Sequence, residues 1–283
     1  MMVGPEEECG YPSGMQWDET SARPEWFFKT DSFYDSGTGF RSQRRSARPY
    51  NEGMSAAQTL EILNAQIVAC EACPRLRAYC EGIARERKKQ WRDWSYWGKP
   101  VPSFGDPRGR VLVFGLAPGA HGSNRTGRPF TGDGSGNFMF PVLYEAGFAS
   151  QPESTSRDDG MKLTDLWISA SVRCAPPGNK PLPEEQRNCA HWLDEEVALL
   201  TRLKVVVCLG KIGFDAYVAY LVRSGTLASR AGIEFRHGAE YTLPNGMHLL
   251  ATYHPSLQNT NTGKLTAEMF FKVFLRARVL LKD

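Results

Sequence analysis

Three short runs of β-branched and apolar residues constrain this chain more than any other feature. RVLVFG (Arg110–Gly115), TDLWISASV (Thr164–Val172) and KVVVCLG (Lys204–Gly210) are short for helices and too continuously apolar for strands with one wet face. Runs of this kind are strands buried on both sides, the pattern of a parallel sheet. Helical segments alternate with them. Ser55 and Gln58 match a capping box ahead of Leu60, Leu63 and Ile67 at helical spacing, and Pro74 should end or kink that helix. Residues 135–147 read as helical, Pro183 and two glutamates open another helix, a further one follows Gly210 to about Val222, and an amphipathic helix runs from about Thr266 to Leu281. Asn245-Gly246 signals a hairpin turn into a fourth strand, HLLATY. The alternation predicts an α/β fold, three-layer α/β/α, around a mostly parallel four-stranded central sheet. Ligands on such sheets sit beyond the C-terminal strand ends.

The 283 residues suffice for a sizeable core, and they divide unevenly. Residues 1–54 are rich in Gly, Ser, Pro and Arg without helical or strand periodicity, and predict a poorly ordered tail carrying one apolar cluster around Trp26, Phe27 and Phe28. A single folded domain is expected over residues 55–283. Residues 1–55 hold 6 Lys/Arg against 9 Asp/Glu, so the remainder carries 28 against 22, a net of +6. That excess permits a nucleic-acid partner without requiring one. No apolar run approaches the roughly 20 residues of a membrane helix. The opening MMVGPEEECG is acidic rather than basic and apolar, so no secretory signal and no membrane partner are expected, and the localisation expected is cytoplasmic. Seven cysteines, an odd number, fit a disulfide framework poorly and an intracellular metal or cluster site better.

Two loops fall at strand ends where chemistry is expected. GLAPGAHGSNRTGRPFTGDGSG, residues 115–136, contains seven glycines and two prolines, so its backbone is shaped for close approach. It lacks the Lys-Ser/Thr end of a P-loop and does not fit the dinucleotide fingerprint. YHPSLQNTNTGKLT, residues 253–266, places His254 before a polar stretch aimed at solvent. Among the cysteines, Cys70 and Cys73 form a C-x2-C pair, and Cys174 and Cys189 have fourteen residues between them. Cys70, Cys73 and Cys80 also leave a local zinc site open. Cys208, within a strand, reads as a small core residue.

GLAPGAHGSNRTGRPFTGD and HPSLQNTNTGKLT together resemble the uracil-DNA glycosylase superfamily, most of all its type B, or family five, branch, which carries an iron–sulfur cluster. The resemblance covers about residues 60–283. It implies that Cys70, Cys73, Cys174 and Cys189 hold a 4Fe–4S cluster of structural role. It implies a flipped base held in a pocket: His254 donating to the base carbonyl beside the scissile nitrogen, backbone N–H groups around Gly115–Gly119 adding donors, Phe130 stacking on the base, and Leu257, Gln258 and Asn259 entering the gap left in the duplex. The expected partner is uracil-containing DNA, double-stranded and possibly also single-stranded, and the expected state a monomer. Asn179, in APPGNKP, can meet a base edge or hold a water.

One departure from the superfamily matters. Ala117 stands where many members carry the Asp or Asn that positions the attacking water, an absence shared by the type B branch. Asn124, with His121 behind it, is the candidate for that water, while Asp133 reads as a turn cap. Ala170 stands where the related family four enzymes have a base-reading Asn, which predicts a range extending from uracil to other deaminated bases such as hypoxanthine. Residues 75–99 hold eight Lys/Arg against three Asp/Glu among Trp91, Trp94, Tyr96 and Trp97. This is either a phosphate-tracking surface or a solvated helix face with a packing loop. Competing readings are a uracil-restricted family four-type enzyme, a zinc-stabilised non-catalytic nucleic-acid-binding protein, and a nucleotide-binding α/β enzyme.

Overall fold

The computed structural model describes residues 54–282. Except for Met54, the tail expected over residues 1–54 lies outside them, and so does Cys9. No helix among the described residues is long and apolar enough to cross a membrane.

The three predicted buried strands are β2 (Val111–Gly115), β3 (Leu166–Ala170) and β4 (Val205–Leu209), and the fourth is β6 (His248–Thr252). They run parallel in the order β3-β2-β4-β6. Two short antiparallel edge strands, β1 (Phe104–Gly105) and β5 (Glu240–Thr242), extend the expected four-stranded sheet to six. β5 and β6 form the hairpin signalled by Asn245-Gly246, with Gly246 at φ +83°.

Alternate residues of each strand serve opposite layers. Val111, Val113, Ile168, Val207 and Leu250 pack beneath α4 (Gly134–Glu145) and α8 (Ala267–Leu280). Leu112, Phe114, Val206, Cys208 and Ala251 pack beneath α1 (Ala56–Val68), α5 (Pro183–Leu199) and α6 (Gly210–Arg223). Cys208 is fully buried there, as a core residue should be. The Ser55–Gln58 capping box forms with both of its hydrogen bonds. Pro74 does not kink the first helix: α1 stops at Val68, and Pro74 opens α2 (Pro74–Glu86), because proline suits the first helical turn, where no N–H is needed.

One buried polar knot ties these layers together. Glu196 on α5 is fully buried and accepts from Trp167 Nε1 at 3.0 Å, Ser169 Oγ at 2.5 Å and Arg173 Nη2 at 2.8 Å. Arg173 also donates to Ser103 Oγ. The pair anchors the segment after β3, which carries Cys174, to the last turn of α5, the helix that carries Cys189.

Candidate active site

The two sequence motifs meet at the C-terminal ends of β2 and β6. The Phe130 and His254 rings lie 5.9 Å apart at 35°. A Cβ placed on Gly115 would stand 3.5 Å from the Phe130 ring, an ordinary contact distance, so the ring lies directly over the end of β2. Phe130 has φ +51°, an unusual conformation for a non-glycine residue. Gly115 pairs in register with Ala170, so the two strand ends beside the Phe130 ring carry little side-chain bulk, while Ala117 packs against the core layer under α6. Leu257 opens the short helix α7 (Leu257–Asn261), is 57% exposed, and crosses to the other motif: a Cβ on Gly134 would come within 2.5 Å of it.

Burial drives the His254 imidazole down to about 4, so it is neutral at pH 7. Its backbone carbonyl accepts from Asn259 Nδ2 at 2.8 Å, and the β4–α6 turn at Gly210 (φ +77°) packs against its Cβ position. Asn259 thereby holds the histidine loop. Gln258 is exposed on α7.

The glycine-rich loop is braced from behind. Asp133 caps α4 through Oδ1 to Gly136 N at 2.9 Å, as the sequence suggested, and its other oxygen lies where a Gly122 side chain would be. Burial raises its carboxyl, opposed by the Gly136 and Ser135 amides and by Arg125. Arg125 donates to the carbonyls of His121 (2.8 Å) and Gly132 (2.6 Å), and its guanidinium is sandwiched between Trp91 (4.3 Å) and Trp94 (4.1 Å). Arg128 forms a buried pair with Asp159 at 2.6 Å and also holds Thr131 and Ser154. None of these arginine contacts has a sequence signature. His121 Nδ1 lies 3.1 Å from the Tyr96 hydroxyl, and burial, then the charges of Lys88 and Arg125, lower its pKa.

The polar candidates divide. Asn124 is fully buried in the four-residue helix α3 (Ser123–Thr126); its Nδ2 is taken by the carbonyls of Cys80 (3.3 Å) and Ala120 (3.4 Å), while Oδ1 has no partner. Asn179 ends a 3₁₀ turn at Pro177–Asn179 with φ +58°, exposed to solvent. Gly119 lies 3.3 Å, from its Cβ position, to the Asp133 carboxylate.

Cys73, Cys80 and Cys174 share a small apolar cluster with Leu76 and Ala175. Cys189 feels both Cys73 and Cys70, and Cys174 feels Cys189. The hydrogen bond between Cys80 and Cys174, with burial, holds the Cys174 thiol protonated; burial pushes Cys189 up to about 11 and raises Cys73. Among the described residues no three His, Cys, Asp or Glu converge closely enough for a single metal ion.

The profile of the family described as the uracil DNA glycosylase superfamily matches residues 102–278. The chain belongs to the uracil-DNA glycosylase superfamily. It is 53% identical over 214 residues to a type-5 uracil-DNA glycosylase of Thermus thermophilus, covering 76% of this chain and 94% of that one. A type-5 enzyme of Pyrobaculum aerophilum is 44% identical over 212 residues, 75% of this chain and 89% of its own. A type-4 uracil-DNA glycosylase of Thermotoga maritima reaches 23% over 226 residues, 80% and 96% of the two chains. Both motifs and all four paired cysteines except Cys70 and Cys73 lie inside the span matched to the superfamily. A separate cleft of about 280 Å³, between the β5–β6 hairpin and α8, is lined by His237, Leu250, Met269 and Arg276 and by none of the motif residues.

Proposed function

We propose that this chain is a monofunctional uracil-DNA glycosylase of base excision repair, which flips uracil out of DNA and hydrolyses its N-glycosidic bond to leave an abasic site. The observation that carries the reading is the Phe130–His254 pair over Gly115: a flat aromatic face beside a neutral, buried hydrogen-bond donor. As the bond between the base nitrogen and the sugar C1′ breaks, the electron pair leaves with the base, the sugar becomes oxocarbenium-like, and water adds to C1′ with loss of a proton. The His254 N–H donates to the carbonyl on which the base's negative charge grows, and main-chain N–H groups at Gly115–Gly119 add to it. A neutral imidazole donates without paying to bury a second charge.

Two acceptors in the loop suit the attacking water: Asn124 Oδ1, which is buried without a partner, and the Asp133 oxygen not used in capping. Single-turnover rates of Asn124→Ala and Asp133→Asn assign the role to whichever falls by about 10²-fold or more. Gly115 and Ala170, paired at the ends of β2 and β3, offer no side-chain polar group that a wrong base would leave unpaired, which supports release of hypoxanthine as well as uracil. Failure to release hypoxanthine at high enzyme concentration would sink that extension.

Cys70, Cys73, Cys174 and Cys189 would hold a 4Fe–4S cluster. What supports this is the chemistry of the donor set, four free cysteines on α2, α5 and the segments beside them, of which burial keeps Cys73, Cys174 and Cys189 protonated until a metal centre ionises them; the thiols are not drawn together around a single point. When bound, the cluster supplies cross-linking of α2, α5 and the β3–α5 loop, with no redox step. The test is anaerobic purification, a visible spectrum, and single-turnover cleavage of a duplex with one uracil. A brown protein that releases uracil is expected. A colourless, zinc-containing protein that binds the duplex and leaves uracil in place overturns the reading in favour of a binding protein.

A further inference from the structure

The basic, tryptophan-rich segment between α2 and β1 is unused by the chemistry above, and the structure separates the work of its two residue types. Its aromatic rings are already engaged. Trp91 and Trp94 enclose Arg125, the Trp97 ring packs within 2.8 Å of a Cβ position at Gly127 with Arg157 at 4.4 Å from its centroid, and the Tyr96 hydroxyl meets His121. The main chain is fastened to the glycine-rich loop as well, by Trp97 N to Arg125 O at 2.9 Å and Gly98 N to Asn124 O at 3.0 Å. These rings are packed as scaffold, with Trp94 the most open of them at 36% exposure. Lys88, Lys89 and Arg92 are exposed, and none is paired with a described carboxylate, although Lys88 Nζ also lies 5.7 Å from the Trp91 ring centroid. Lys88 lies near enough to the substrate loop for its charge to act on His121.

We propose that Lys88, Lys89 and Arg92 bind the phosphates of the DNA strand flanking the flipped nucleotide, on a surface that Trp91, Trp94 and Trp97 hold rigidly beside the pocket. The inference rests on the glycosylase reading for the identity of the strand. The occupant follows from charge complementarity and from continuity with the Phe130–His254 site. Phosphate contacts carry no sequence information and release counterions, so they leave a defined salt signature.

The test compares Lys88→Gln/Lys89→Gln/Arg92→Gln with a control of equal charge change, Arg202→Gln/Lys204→Gln/Lys282→Gln. The control residues are exposed and lie at the opposite, N-terminal end of the parallel strands or beyond α8. Affinity is measured for a duplex with one uracil and for the same duplex undamaged, across a salt series, beside the single-turnover rate constant at saturating enzyme. The patch variant should bind both duplexes more weakly by the same factor, roughly tenfold or more at about 0.1 M salt, with a log–log salt slope shallower by about 3. The control should match wild type. Equal weakening by both variants would reduce the effect to net charge and overturn the proposal. So would an unchanged affinity and slope, or a loss confined to the rate constant of the bound complex. A wild-type protein with the steep salt slope that releases no uracil would overturn the glycosylase reading and leave the phosphate surface standing.

Discussion

Replacing His254 with alanine removes two things at once, and each has its own magnitude. The first is the proposed donor to the departing base. Deleting one such preorganised donor costs about 10²–10³ in rate, roughly 2.7–4 kcal/mol. The second is a titration. His254 has a pKa of about 4 in the folded protein against an ordinary 6.5. Between those values the unfolded chain binds the proton and the folded chain does not, so stability falls as pH drops through 6.5 and levels off below 4. From pH 7.5 to 4.5 this single group withdraws about 2.5 kcal/mol, from the ratio of the two binding polynomials. The alanine variant lacks that loss, so the difference in its urea-unfolding free energy between the two pH values should be smaller than wild type's by about that amount. Lost packing at residue 254 is common to both pH values and cancels. Parallel stability–pH curves for the two proteins would refute the buried neutral imidazole. A wild-type single-turnover rate that rises as pH falls through 6.5 would refute it from the other side, by showing that the imidazolium is the active form.

Three further outcomes follow from the geometry. Glu196→Ala strands the buried Arg173 guanidinium and should cost about 3–5 kcal/mol in urea unfolding; a loss below about 1 kcal/mol would show that the knot is not desolvated. Cys189→Ser should lose visible absorbance while Cys208→Ser, altering a core position under α6, keeps it; equal spectra would remove Cys189 from the ligand set. Asn259→Ala frees the His254 carbonyl, and should slow single-turnover release by about 2- to 10-fold, the worth of one neutral hydrogen bond, with little change in duplex affinity. A loss in affinity alone would instead make Asn259 a DNA contact, as the motif resemblance implied.

What was legible in the chain tracks the range of the interaction that encodes it. Val111–Gly115, Leu166–Ala170 and Val205–Leu209 are buried on both faces, and that burial is written into each as a continuous apolar run. β1 and β5 are not, because two or three partly exposed residues on an edge carry no period to read. Pro74 was only half legible: the first helix does end before it, at Val68, but a proline tolerated in a first turn gives no sign in isolation that it opens a second helix. The pocket's two rings were legible because each sits in a motif at a strand end. Arg125 was not: its environment is made by Trp91 and Trp94, some thirty residues away, returning over the loop. Asn124 was legible only in part: nothing in the loop shows that its amide nitrogen is held by the carbonyl of Cys80 in α2, which leaves Oδ1 as the atom for the proposed role.

The strained backbone at Phe130 explains why so much of this loop is devoted to holding itself. A bulky residue at φ +51° costs on the order of 1–3 kcal/mol and persists only where its surroundings over-determine it. Here they do. The Phe130 N–H is held by Ser123 Oγ at 3.1 Å, its carbonyl lies where a Gly136 side chain would be, and Arg125 pins the adjacent Gly132. Glycine at 136 leaves room for the carbonyl, which a Cβ there would overlap. The ring is therefore held in one place by its own loop, so under the proposed function a flipped base would meet a formed face without the cost of ordering it. On that reading, orientation would come from a rigid ring and one neutral donor, and the small residues Gly115 and Ala170 at the paired strand ends would need only to leave space.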